Sequence, residues 1–335
     1  MRRTLRRAAI VALGAALGLW AVPSHGEDLS VSMQAGAISH FLIGSDQTDF
    51  GALRFAGGLE LAADTRHFGA VSAIRFRDAG RRFIAVTDTG FWLTGEVERD
   101  ASGHPTGWTH VRMREIEGAD GLPLTDKYEA DAEGLALGDG RVTVGFERYH
   151  RLTDYALGED GMPGKPLRNV DFIVPANELR ANRGFECLTA SPAEGPLGGA
   201  RVAISEKSLD KKGNIFGAVL EGNRRGIFTV VKSGVFDITD CAFLPGGDLI
   251  LLERRYSIGT GVGMQLRRIP GGTITKGAVV DGAVLFSGGM TYQIDNMEGA
   301  DIWRADDGSL RLSLVSDDNH SLLQRNVYLE FVIKE

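Results

Sequence analysis

The stretch Asp131-Ala132-Glu133-Gly134-Leu135-Ala136-Leu137-Gly138-Asp139-Gly140-Arg141-Val142-Thr143-Val144-Gly145-Phe146-Glu147-Arg148 decides the fold. It joins an acidic residue with a small partner, an apolar strand, a Gly-Asp-Gly turn, and a second apolar strand ending on an acid. The phrase returns from Gly184-Phe185-Glu186-Cys187 to Ile204-Ser205-Glu206-Lys207, and from Thr239-Asp240-Cys241 to Leu252-Glu253-Arg254-Arg255. A fourth copy runs from Asn296-Met297-Glu298-Gly299 to Ser316-Asp317-Asp318-Asn319, and a weaker one from Val71-Ser72-Ala73 to Val86-Thr87-Asp88. Strand-turn-strand units repeated at tens of residues predict propeller blades rather than helical solenoid turns.

Outward from these repeats, Leu29 to Leu61 supplies further strand material, and Val327 to Ile333 reads as a last strand that pairs with the N-terminal segment. Five repeats plus one composite blade from the two termini predict an all-β, single, six-bladed propeller spanning residues 27–335. Hairpin turns at Gly138-Asp139-Gly140, Pro245-Gly246-Gly247-Asp248 and Asp306-Asp307-Gly308 agree with that class. A short helical turn is expected at 177–181 and no other helix.

Arg2, Arg3, Arg6 and Arg7 precede an apolar run from Ala8 to Val22 and then Pro23-Ser24-His25-Gly26. This order predicts a secretory signal peptide over residues 1–26, cut after Gly26, and a periplasmic or secreted product. The run is shorter than the ~20 residues a spanning helix needs, so no membrane span is expected after cleavage. Loss of four Arg and no acid moves the formal net charge from -7 to -11, 33 basic residues against 44 acidic. An acidic chain is not drawn as a whole to nucleic acid or anionic membrane, so no nucleic-acid partner is expected. Cys187 and Cys241 follow acidic residues and are expected at equivalent places on neighbouring blades; a disulfide and two buried thiols both remain open.

The acids at strand ends carry the chemistry. Asp88, Glu133, Glu186, Glu206, Glu253, Glu298, Asp317 and Asp318 are expected to converge on the propeller axis as metal ligands, with Glu147 beside them. So many carboxylates at one axis need compensation. A hard cation supplies it, and so do Arg148, Lys207 and Arg254, which follow the acids directly, and Arg183. Ca2+ suits an all-oxygen set, and the seven His show no zinc spacing. The ion pair between blades is the simpler alternative for any single Glu. No Gly-x-Ser-x-Gly elbow exists, and Gly259-Thr260-Gly261-Val262-Gly263 reads as a hairpin loop.

Taken together, Gly57-Gly58-Leu59-Glu60-Leu61, Val86-Thr87-Asp88-Thr89-Gly90, Asp131-Ala132-Glu133-Gly134, Asn182-Arg183-Gly184-Phe185-Glu186, Asn296-Met297-Glu298-Gly299 and Ser316-Asp317-Asp318-Asn319 resemble the phytase-like domain family, also called esterase-like activity of phytase. The resemblance covers roughly Ala56 to Val332. It implies an exported bacterial β-propeller with metal-assisted hydrolysis of an ester or phosphoester. In that reading Ca2+ polarises the ester of a small anionic substrate, Arg148, Lys207, Arg183 and Arg254 bind its anionic group, and Glu147 is general base. The alternative is a non-catalytic periplasmic propeller that binds a small ligand or protein over a structural metal, and in either reading a monomer is expected.

Overall fold

A computed structural model describes residues 28–138, 140–175, 177–179 and 184–334. The signal segment 1–26 and Arg183 lie outside the described residues. Among the described residues no helix is long and apolar enough to cross a membrane.

Five sheets stand around one axis. The first blade runs outward from Val71–Phe76 through Arg82–Thr87 and Phe91–Arg99 to Pro105–Glu115, with Leu29–Ser30 on its rim. The second is Ala132–Gly138, Arg141–Phe146, Arg151–Leu157 and Pro163–Val170. The third starts at Phe185–Ala190 and Arg201–Leu209 and ends with the parallel addition of Val279–Val280. The fourth is Asp237–Phe243, Leu249–Ser257, Gly261–Ile269 and Ala283–Gly289. The fifth begins with Met297–Arg304 and Leu310–Ser316.

The expected sixth blade is absent, and the fifth shows why. After Ser316 the chain has one strand left, Asn326–Ile333, which is too little for a four-stranded blade. The N-terminal strand Leu53–Ala63 pairs with it, Met33–Ile38 completes the edge, and the ring closes there. The terminal pairing is as the sequence suggests, but it finishes the fifth repeat instead of adding another. One short helix, Lys127–Ala130, was not anticipated; Asp126 caps it by accepting from Tyr128 N–H.

Every inner strand carries a bulge at the same place. Pairing skips one residue between Val71 and Ala73, Phe185 and Cys187, Ile238 and Asp240, and Met297 and Gly299, and Ala132 and Gly134 flank the same step in the second blade. The bulged residues are therefore Ser72, Glu133, Glu186, Thr239 and Glu298. A bulge re-aims one side chain out of the sheet alternation. Here it turns three glutamates toward the axis.

In four of the five blades the residue that follows the bulged position is small, Ala73, Gly134, Cys187 or Gly299, and in the fourth it is Asp240. A Cβ on Gly134 would stand 2.8 Å from the Glu186 carbonyl oxygen and 2.8 Å from Leu188 Cβ. In the third blade the same position is Cys187, which forms a disulfide to Cys241 of the fourth, with Cα atoms 5.1 Å apart. The two cysteines are not equivalent, however. By register Cys187 corresponds to Asp240, and Cys241 to Leu188.

Apolar cores fill the spaces between blades. Phe83, Trp108 and Tyr328 pack where the first and fifth blades meet, and Trp92 packs on Tyr155 between the first and second. Trp92, Trp108 and Trp303 are all core residues.

Candidate metal and ester site

Two residues per blade point into one end of the axis. One is the bulged residue; the other belongs to the far part of the second strand, with Asp88, Glu147 and Asp317 directly after it and Glu206 and Arg254 still within it. The second position is fixed by a recurring backbone bond: Asp88 N–H donates to Ala70 O, Glu147 to Asp131 O, Glu206 to Gly184 O and Asp317 to Asn296 O, each at 2.9 or 3.0 Å. In the fourth blade the register pairs Asp237 with Arg254, so a cation takes that place.

Glu253, expected in the ring, is one residue out of step and faces the other way. It is fully buried, accepts from Gln265 Nε2 at 2.8 Å and pairs with Arg267. Such a slip reverses the facing of a strand residue. Asp318 is also directed elsewhere: its carboxylate accepts from Ala70 N–H at 3.0 Å and Asn326 Nδ2 at 2.8 Å, tying the fifth blade to the first. The remaining expected acids converge. Asp88 and Glu133 form one close group with Asp131, and Glu147, Glu186 and Glu206 form another, with ligand oxygens within 4.8 Å inside each group.

Two members of the site were not read from the sequence. Asp131 precedes the bulge of the second blade and is 2 % exposed. Lys127, presented by the short helix, bridges Asp88 Oδ2 and Asp131 Oδ1 at 2.6 Å each. The acid could have been found as the first residue of the opening stretch. The lysine depends on a helix that four residues do not announce.

The cations are distributed around the rim. Arg148 Nε donates to Asp131 Oδ2 at 2.8 Å, and Lys207 contacts Glu206 at 2.6 Å and Asp237 at 3.2 Å. Arg254 reaches Glu298 at 3.1 Å and Glu206 at 3.9 Å, so it lies between the third and fifth blades. Glu133 and Glu186 have no hydrogen-bonding or ion-pair partner among the described residues.

Burial and mutual repulsion raise the acids. Burial first, then the Asp131 and Asp88 charges, hold Glu133 well above the ordinary carboxylate range. Glu186 is raised in the same way by burial and by Glu206 and Glu298. Burial also pushes Glu147 and Asp317 up to about 7, and Glu298 to about 8 against the pull of Arg254. Glu206 is raised by burial and held back by Lys207.

The well has a floor. Arg75 of the first blade pairs bidentately with Asp240 of the fourth at 2.7 and 2.8 Å, and its guanidinium also donates to Leu188 O at 2.8 Å and Ala300 O at 2.6 Å. Both side chains are buried, and they join four inner strands across the axis. Nothing in the spacing of the repeats pointed to this pair.

The phytase-like family, described as esterase-like activity of phytase, matches residues 66–320. No curated protein matches the chain. Among solved structures it is similar to the PQQ-bound form of an aldose sugar dehydrogenase from Streptomyces coelicolor, at 14 % identity over 79 % of this chain and 95 % of that one, with a TM-score of 0.43. It is also similar to a glutaminyl cyclase from Myxococcus xanthus, at 11 % identity over 79 % of this chain and 97 % of that one, with a TM-score of 0.40.

Proposed function

The chain belongs to the phytase-like family, and from that premise we propose that it is an exported, calcium-dependent hydrolase of phosphate or carboxylate esters working in the axial well. The observation that carries the proposal is the pair of carboxylates, Glu133 and Glu186, that have no partner among the described residues and whose neighbours are themselves acidic. Eight carboxylates, Asp88, Asp131, Glu133, Glu147, Glu186, Glu206, Glu298 and Asp317, face four cations, Lys127, Arg148, Lys207 and Arg254. The excess of acid matches the charge of two divalent ions. An all-oxygen donor set suits calcium, which accepts many oxygens at flexible geometry.

Asp88, Asp131 and Glu133 would hold one ion, and Glu147, Glu186 and Glu206 another. Bound calcium supplies polarisation of the ester oxygen and a lowered pKa for water at the site. Arg254, between Glu298 and Glu206, and Lys207 would orient an anionic substrate group. Glu147 is better used as a ligand than as the base first expected, since it lies inside the second close group. Proton acceptance then falls to Asp317, whose Oδ1 is held by Asn319 N–H at 2.6 Å and whose proton affinity is set near neutrality. The disulfide agrees with an oxidising compartment.

One observation favours a non-catalytic reading: Lys127 and Arg254 already pair with acids of different blades, as fixed structural clamps do. The test is hydrolysis of a chromogenic phosphomonoester and a short-chain carboxylic ester, with calcium and after chelation. Turnover that disappears on chelation and in Glu133→Gln and Glu186→Gln is expected. Calcium-dependent thermal stabilisation without turnover of either ester would replace the hydrolase with a binding propeller.

A further inference from the structure

The exposed apolar residues are unevenly placed. Among the described residues fourteen large apolar side chains are exposed, and none lies in the turns at the end of the propeller opposite the well. The turns around the well carry most of them. Ile258 is 96 % exposed at the tip of the hairpin between Leu249–Ser257 and Gly261–Ile269, with Tyr256 beside it. Val235 precedes the inner strand of the same blade, and Met290 follows its outer strand. Leu322 and Leu323, 105 % and 93 % exposed, cap the loop that Asp317 opens.

Charge on three turns of the third and fourth blades runs against that of the chain, while the loops 290–296 and 317–325 hold three acids, Asp295, Asp317 and Asp318, and one cation, Arg325. Residues 207–214, 232–236 and 254–262 hold six Lys or Arg and one acid, Asp210, in a protein of net charge -7. Asp210 is engaged by its own turn, accepting from Lys212 and Asn214 N–H. Lys211, Lys212 and Arg255 form no salt bridge among the described residues, and both lysines are exposed.

We propose that the well end docks on an anionic lipid surface, with the apolar tips entering the acyl boundary and the cations meeting the head groups. This reading rests on the proposed hydrolase only for its chemical consequence: the ester offered to the well would belong to an anionic phospholipid head group. Single apolar side chains standing clear on separate turns suit a fluid surface better than the continuous face of a protein partner. Charge argues against a second copy, because two such ends face to face would oppose the same cations. The net acidity of the chain is no obstacle, since attraction to a lipid surface decays within a Debye length and is felt by the nearest turns.

The experiment is co-sedimentation of the chain from Asp28 onward, which retains every strand of the five blades, with vesicles of mixed phosphatidylglycerol and phosphatidylcholine, and with phosphatidylcholine alone. Binding to the mixed vesicles is expected to exceed binding to phosphatidylcholine. Lys211→Glu with Lys212→Glu should weaken it by roughly tenfold or more, and Ile258→Ser with Leu322→Ser by a similar factor. Turnover of a soluble ester should be unchanged in all four substitutions. Absence of binding to the anionic vesicles at low salt, or equal binding by the tip variants, overturns the proposal. So does a concentration-dependent dimer abolished by Ile258→Ser, which would make the face an interface between copies. Soluble turnover without vesicle binding removes the docking alone; vesicle binding without any turnover removes the hydrolase alone.

Discussion

Glu186 opens one repeat and Glu253 closes the next, yet the structure gives them opposite electrostatic positions. Glu253 answers the buried guanidinium of Arg267, which also contacts Asp281 at 2.7 Å. Removing its charge leaves that cation under-compensated in the core. Glu253→Gln should therefore cost about 3 kcal/mol or more of stability, with the response to calcium intact. Glu186 faces other acids and has no partner among the described residues, so Glu186→Gln should relieve repulsion in the metal-free protein. Its melting temperature without calcium should hold or rise, while the increment on adding calcium shrinks. Thermal denaturation of both variants with and without calcium decides this; a loss of metal-free stability in Glu186→Gln would mean that the acid has a partner in solution.

The repeated bulge is the device that converts strand alternation into a ring of acids, and it relies on blades approaching closely just beyond it. At Gly134 the nearest atoms are the backbone oxygen of Glu186 and the Cβ of Leu188, neither of which can swing away. Gly134→Ala should thus cost roughly 1–3 kcal/mol as an overpacking change, and disturb the proposed calcium response more than an alanine at half-buried Gly107, where a Cβ meets nothing. Equal urea midpoints for the two variants would show that the second and third blades separate freely. This scale also shows what the sequence could convey. Acid-plus-small phrases located four inner strands and the weaker Val71-Ser72-Ala73 repeat the fifth, and the paired Val327 strand was legible because its apolar pattern had no other partner. The bulges were not legible, since a skipped residue leaves no mark in composition, and Glu253 was aligned one place away from Arg254. The blade number failed for a related reason: a strand that completes a blade reads the same as one that begins another. Lys127 and the Arg75–Asp240 floor are long-range partners, and only the closed ring brings them together.

For the molecule as a whole, the collected acids tie stability to pH and to metal in opposite directions. Glu147 and Asp317 are raised to about 7 and Glu298 to about 8, above the values they take in an unfolded chain. Between the unfolded and folded values the native protein holds protons that the unfolded chain has released. Stability then falls as pH rises, by about 1.4 kcal/mol per pH unit for each proton of difference. Well below pH 4 both states are protonated at these groups, and well above pH 8 both are ionised, so the slope from these three acids belongs to the interval between. Calcium at the proposed site would favour the ionised carboxylates and compete with those protons, as ligation by carboxylates requires. The metal-free protein should consequently melt at a lower temperature at pH 8 than at pH 5.5, and the gain on adding calcium should be greatest at pH 8. Denaturation scans at the two pH values, with chelator and with calcium, measure both. A metal-free protein more stable at pH 8 would mean that the acids are neutralised by groups other than a divalent ion, and that the well is a clamp of fixed ion pairs.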